Sequence, residues 1–451
     1  MNEQNQSLKK SETRTGWRRH PILFTALACF ATGIVVFLAT FFSVTVRYRS
    51  EIEDYRAHYV RISDKYDVGL IETALGLLDS DSVFDLPDRE TLTEAMIEAA
   101  ITAMGDRYGT FFTDAEYASY STDLSGSFFG IGVTLQKTED GNARIVLVHK
   151  DSPAEREGLL AGDEIVSVDG VLFSDGYETA FEAIAGEKGS VVEVVYLRGG
   201  AEGRASIPRG EVIKQTVVSR IETYGESRIG YVHISGFDGH TYEQFVAAIS
   251  ELEAPEADVD ALIFDLRQNG GGLLTEVSKT LAYLLPDGVI AYVDYRSESL
   301  SDYTISAEDG YLKAGSSSTL YCEGGHRITL PAAVLVDGNT ASAAELFTAS
   351  LRDWATPDFG SALDVTVVGT TTYGKGTVQT TYALGSGYKL KMTLAHYNPA
   401  SNVNYDGVGI TPDVVRELTE DEAAISVFLR TQENDPQLSA ALALLDQKVN
   451  P

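Results

Sequence analysis

Two segments decide how this chain is read: VLVDGNTASAAEL at residues 334–346 and TYGKGTVQ at residues 372–379. In the first, Val334, Leu335 and Val336 form an apolar strand pattern that stops at Asp337-Gly338-Asn339, a turn signal. A helical spacing of apolar residues follows at Leu346, Phe347, Ala349 and Leu351. Thr340 or Ser342 would then cap the helix. The same position suits a nucleophile, because a strand-to-helix turn exposes a hydroxyl beside the free N–H groups of a helix start. In the second segment Lys375 lies between Gly374 and Gly376, shortly after an apolar strand at 365–368. If buried there, its ammonium is disfavoured, its pKa falls, and it becomes a candidate general base. Gln379 is four residues on, where it would orient the amine from a shared helical face or loop.

A third segment, ALIFDLRQNGGGLL at 261–274, is a nearly continuous apolar strand running into Gly270-Gly271-Gly272. Such a strand suits a sheet covered on both faces, and the glycines offer unshielded N–H groups. The phosphate-loop pattern G-x-x-x-x-G-K-[ST] is absent. Further upstream, SPAEREGLLAGDEIVSVDG at 152–170 sits among short strands and glycine turns.

Together these segments, with the closing stretch GVGITPD at 407–413, resemble the carboxyl-terminal processing peptidase (tail-specific protease) family, across about residues 92–444. The resemblance implies a multidomain α/β protein: a PDZ β-domain and an α/β, crotonase-like protease core. It implies catalytic roles for Ser342 as nucleophile, Lys375 as base and Gln379 as its support. It implies an oxyanion hole from the backbone N–H groups of Gly271 or Gly272 and of Ala343. It implies a loop at Phe129, Gly130, Ile131, Gly132 and Val133 that holds the free carboxylate of a peptide added as a strand. Three departures stand out: Gly270 replaces a proline, Ala344 replaces the usual third serine of the nucleophile segment, and residues 355–364 lengthen the path from nucleophile to base.

Composition sets the remaining limits. The 451 residues carry 35 Lys and Arg against 66 Asp and Glu, which leaves no basic stripe for nucleic acid. Seven scattered histidines and two cysteines, Cys29 and Cys322, form no metal-ligand pattern, so neither metal nor cofactor is expected. A histidine-based triad would need His233, His240, His326 or His396, and no spacing recommends one. Residues 21–46 carry no charge and are long enough to span a bilayer; five basic residues precede them. The expected order is therefore a basic cytoplasmic tail (1–20), a transmembrane helix (21–46), a helical region (47–117), a PDZ domain (118–210), the protease core (211–418) and a helical tail (419–451). The expected function is a single-pass membrane endopeptidase with its N-terminus in the cytoplasm. Its extracytoplasmic catalytic part would cleave exported or membrane proteins with free C-termini, and the family resemblance adds self-association. The alternative is an inactive PDZ scaffold that binds C-terminal tails.

Overall fold

The computed structural model describes residues 66–295, 311–314, 317–322, 328–385 and 387–451. The basic tail, the apolar run at 21–46 and Cys29 lie outside these residues. Among the described residues no helix is long and apolar enough to cross a membrane. The chain divides into two compact units, residues 1–93 and 94–451. The described part of the first contains α1 (Val68–Asp81), capped by the Asp67 carboxylate, which accepts from Leu70 N–H. The division falls within α2 (Arg89–Met104).

The second unit continues with β1 (Thr110–Phe112) and α3 (Asp114–Ser125), so the helical stretch runs past residue 117 and contains a strand. That strand belongs to the core: β1 pairs with residues 389–391, far along the chain. A two-stranded ribbon, β2 (Ser127–Gly130) with β9 (Gly210–Ile213), brackets the PDZ barrel. The barrel comprises β3 (Val133–Lys137), β4 (Ala143–Val148), β5 (Glu164–Val168), β6 (Val171–Leu172), β7 (Val191–Arg198) and β8 (Ala201–Pro208), with α4 (Pro153–Arg156) and α5 (Tyr177–Glu182). Its core is built from Ile131, Ile145, Leu159, Ile165, Phe173, Val192, Val194 and Ile207. Strand β3 is at the edge, paired only with β4.

The protease core has two sheets. The first runs β10 (Val217–Tyr224), β11 (Ser227–Ile234), β12 (Ala261–Asp265), β16 (Ala332–Val336), β17 (Val365–Gly369) and β20 (Val414–Val415). All its neighbours after the β10–β11 pair are parallel. The all-buried β12 and β16 follow from that, since a parallel sheet is covered on both faces. One face packs on α6 (Thr241–Leu252), α7 (Leu274–Leu284) and α8 (Ala343–Trp354), through residues such as Phe245, Leu281 and Phe347. The other is covered by α10 (Pro436–Val449) through Leu438, Leu442 and Leu445. The second sheet contains β1, β13 (Gly288–Tyr295), the hairpin β14 (Tyr311–Ala314) and β15 (Ser317–Cys322), β18 (Thr377–Gly385) and β19 (Tyr388–Pro399). Cys322 is buried and its thiol points to the Ala282 carbonyl.

The C-terminal segment ties these parts together. Short helix α9 (Glu420–Ala424) lies beside the PDZ barrel, where Gln136 Nε2 donates to Ala424 O at 3.0 Å. At the start of α10, Asp435 meets the fully buried Arg267, which also pairs with Asp265. The extra residues 355–364 form a turn at the far end of α8, twelve residues from Ser342, with Trp354 against Phe359 and Asp364 held by Lys448. An α-helix of that length spans about 18 Å, so this insertion lies away from the nucleophile segment.

Candidate active site

Ser342 sits where β16 ends and α8 begins. It occupies the N-cap position with φ 57° and ψ −119°, not the extended backbone of an ordinary cap. Positive φ costs a non-glycine residue about 1–3 kcal/mol and persists only when its surroundings enforce it. The enforcing contacts are visible. Ala341 N–H donates to Asn269 O at 2.9 Å, and Thr340 Oγ1 donates to Leu266 O at 2.9 Å. Asp337 accepts from Gln268 N–H, lacing the turn to the glycine loop.

Gly271 and Gly272 are required for close approach. A Cβ on Gly271 (φ 107°) would lie 2.7 Å from Ser342 Cβ; one on Gly272 (φ 143°) would lie 2.4 Å from Phe237 O. Gly271 N–H donates to Asn269 Oδ1 at 2.9 Å. The N–H groups of Gly272 and Ala343 make no hydrogen bond among the described residues.

The link between the Ser342 and Lys375 segments is Glu345, which is fully buried. One carboxylate oxygen accepts from Ser342 N–H at 2.9 Å and from Lys375 N–H at 2.7 Å. The other accepts from Gly374 N–H at 2.7 Å and from the Thr372 hydroxyl. Gly374 in turn (φ 87°) packs on the closing segment, with room for no Cβ: one would sit 2.8 Å from Gly409 N. Tyr397 adds a second bridge. Its buried phenol donates to Lys375 O at 2.9 Å; burial pushes its pKa up, and Ser342 and Tyr405 lie close enough to oppose that shift.

Lys375 is half-buried, with Nζ 4.5 Å from the centre of the Tyr108 ring. Its pKa is lowered, by burial first and by Lys391 second, while Asp106, Glu345 and Asp406 partly offset this. No hydrogen bond joins Lys375 Nζ to Ser342 Oγ among the described residues. Gln379 is on strand β18, so the helical-face reading of its relation to Lys375 does not hold. Its Nε2 donates to Thr377 Oγ1 at 3.0 Å and to Thr393 Oγ1 at 3.3 Å. Thr393 passes the chain on, with its N–H and hydroxyl both donating to Asp106 at 2.8 Å.

The histidines stand apart. His233 is buried with its Nδ1 against Asp265 O and its ring edge-on to Phe428. His240 begins α6 and His396 is exposed on β19. None of the described histidines bonds to Ser342.

In the PDZ loop, Phe129 and Gly130 belong to β2 and pair with Glu211 and Gly210. Ile131 is buried and its carbonyl accepts from Ala154 N–H at 2.8 Å. Gly132 (φ 87°) passes so close to Ser152 that a Cβ would lie 2.3 Å away, and its carbonyl accepts from His149 N–H. Val133 starts the edge strand β3, the partner a peptide strand needs.

Sequence reasoning did not single out Glu345, Tyr108, Asp106, Tyr397 or Lys391. Only Glu345 had a local signal, the S-x-x-E spacing of a capping box from Ser342.

A serine on a strained strand-to-helix turn, with glycine N–H groups and a half-buried lysine nearby, defines a serine-peptidase type of site. The comparisons agree. Residues 228–416 match the model of peptidase family S41, and residues 130–208 match that of the PDZ domain. The chain belongs to peptidase family S41 and carries a PDZ domain. The carboxy-terminal processing protease CtpB of Bacillus subtilis (strain 168) is 33% identical over 327 residues, 72% of this chain and 62% of that protein. CtpA of the same organism is 30% identical over 336 residues, 74% of this chain and 66% of that protein. The chain thus spans under two thirds of the length of either relative. A solved S41 protease of Bacteroides fragilis shares the fold, with a TM-score of 0.55 at 20% identity, covering 81% of this chain and 93% of that one.

Proposed function

We propose that this protein is a membrane-anchored serine endopeptidase that cleaves exported or membrane proteins, with Ser342 as nucleophile, Lys375 as general base and the PDZ domain recognising substrate C-termini. The observation that carries this reading is the strained Ser342 turn, tied through the Glu345 carboxylate to the backbone of Lys375.

In the proposed reaction, neutral Lys375 takes the Ser342 hydroxyl proton as Oγ attacks the scissile carbonyl carbon. The oxyanion is stabilised by N–H groups at the glycine loop and at Ala343; Gly272 is the better glycine donor here, because Asn269 already holds Gly271. Collapse breaks the C–N bond, and the lysine proton goes to the leaving amine. Water then attacks the acyl ester, giving a proton to Lys375, which returns it to Ser342 Oγ as the C–O bond breaks and the product acid is released. Gln379 steadies the Lys375 side through Thr377 and Thr393. The lowered Lys375 pKa supports its role, since burial makes the neutral amine cheaper to form.

The anchor rests on the uncharged run at 21–46 and the basic residues before it, which would leave the catalytic part outside the cytoplasm. Self-association belongs to the same reading: α1 buries no residue and exposes Leu70, Leu77 and Leu78.

The test uses the full chain in detergent as wild type, Ser342→Ala and Lys375→Ala. Each is incubated with an unfolded protein ending in small apolar residues and with its C-terminally amidated form. Cleavage by wild type alone, weaker on the amide, is the expected result. Cleavage that survives Lys375→Ala refutes the lysine base. Tail binding without cleavage by any form favours the scaffold.

A further inference from the structure

The base pocket contains a second lysine. Lys391 is on β19, opposite Thr381 of β18 and Thr110 of β1. It shares a strand face with Thr393, two residues on, which bonds to both Gln379 and Asp106. Its stem is half-buried and its ammonium is seated on two stacked rings, 4.6 Å from the centre of Tyr120 and 5.3 Å from that of Phe112. The ring faces attract the ammonium, while burial lowers the Lys391 pKa and Asp106 works against that lowering. The seat also fixes where the charge sits, on the side of the pocket walled by residues 106–120.

The groups that face Lys375 come from four elements. Lys391 comes from β19, Glu345 from α8, Asp406 from the closing segment, and Asp106 from the turn before β1. Each of the three carboxylates is occupied with backbone donors. Glu345 serves the nucleophile turn, Asp406 accepts from Gly376 N–H at 3.0 Å, and Asp106 accepts from Thr393, Tyr108 and Gly109. None forms an ion pair with Lys375 among the described residues, and the Tyr108 ring lies 4.5 Å from its ammonium.

We propose that Lys391 is a positioning residue for the general base: its ammonium, held on Phe112 and Tyr120, makes the pocket hostile to a second positive charge and so keeps Lys375 able to accept the Ser342 proton. This rests on reading Lys375 as the base. It gives β1 and α3 a catalytic purpose, because they supply the rings that seat Lys391. The lowering of the Lys375 pKa by Lys391 agrees with it. Asp106, which faces both lysines, moderates the repulsion.

The experiment is the pH profile of kcat/KM for the full chain as wild type, Lys391→Met, Lys391→Gln and Lys391→Arg, with thermal melts to establish folding. The two neutral variants are expected to move the limb assigned to the base up by about half a unit, roughly a threefold loss at neutral pH that vanishes at high pH. Lys391→Arg is expected to hold the limb near its wild-type position. A limb unmoved in both neutral variants overturns the proposal, as does a loss that persists at high pH. Lys375→Ala separates the two levels: if it still cleaves, the lysine base itself is wrong and the proposal falls with it. If it is dead while the neutral Lys391 variants keep the wild-type limb, only the role of Lys391 is refuted.

Discussion

Replacing Glu345 by glutamine tests whether the nucleophile and base segments are held by one carboxylate. The substitution keeps the size and one carbonyl oxygen but turns an acceptor into an NH2 group. Glu345 accepts four hydrogen bonds, two on each oxygen, and is fully buried. If the NH2 faces Ser342 and Lys375, two backbone N–H donors lose their acceptor. If it faces the other way, Gly374 N–H loses its acceptor and the Thr372 hydroxyl must turn to accept. That hydroxyl already accepts from Ile410 N–H at 2.7 Å, so turning it strains the closing segment too. Hydrogen bonds to charged groups contribute about 1.5–3 kcal/mol each, so the cheaper orientation costs roughly 2–4 kcal/mol. A domain's stability is only about 5–15 kcal/mol, so the variant should fold with its melting temperature lowered by roughly 5–15 °C. Catalysis should suffer more, because displacing reacting groups by about 1 Å can cost around a hundredfold. The expected result is kcat down about a hundredfold with KM little changed, measured on a tail-bearing peptide, and slowed labelling of Ser342 by a fluorophosphonate. Wild-type kcat within threefold, together with an unchanged melting temperature, would refute the clamp.

Gly271→Ala should force the Ser342 turn aside, given a Cβ only 2.7 Å from Ser342 Cβ. Peptide hydrolysis should fall at least about tenfold while tail binding to the PDZ domain, followed by fluorescence anisotropy, stays at the wild-type level. His149 joins the PDZ barrel to the core, its Nδ1 accepting from Gln215 N–H at 3.0 Å, and burial lowers its pKa from 6.5 to about 4. The unfolded chain therefore takes up this proton below pH 6.5 while the folded one resists until about pH 4. This one group should cost about 3 kcal/mol of stability across that window as pH falls, and urea melts of His149→Gln should show a flatter profile there. Arg267→Met strands Asp265 as a buried carboxylate without its cation and leaves Asp435 only Arg430 at 3.6 Å, a loss of about 3–5 kcal/mol. Hydrogen exchange should show α10 opening before the rest of the sheet; uniform protection would count against that arrangement.

The protease strands, the PDZ signature and the nucleophile turn were legible because each is a local pattern: an apolar run, a glycine turn, a capping position. Residues 355–364 were expected to lengthen the path from nucleophile to base, and the length of α8 places them far from Ser342. What the sequence hid is how residues far apart in the chain meet. Thr393 and Asp106 are 287 positions apart, and no spacing rule connects them. Residues 47–117 read as a helical lead-in, yet β1 joins the second core sheet, and Asp106, Tyr108 and Phe112 wall the pocket of Lys375 and Lys391. Gln379 illustrates the same limit. Four residues from Lys375, it suggested a helical partner, but strand geometry turns it toward Thr393 instead.

A lysine's proton affinity depends on burial and on the charges around it, and those are properties of the assembled pocket. Ser342 can be found from its neighbours in sequence; on the proposed reading, whether Lys375 can take its proton depends on burial and on what β1, α3 and β19 place around it. On the proposed reading, the region that looked least catalytic in the sequence takes part in tuning the base. Mutations at Phe112 and Tyr120 should accordingly alter the pH dependence of cleavage before they alter the fold. A truncation that removes residues 104–125 should leave a serine nucleophile with a poorer base rather than an intact enzyme.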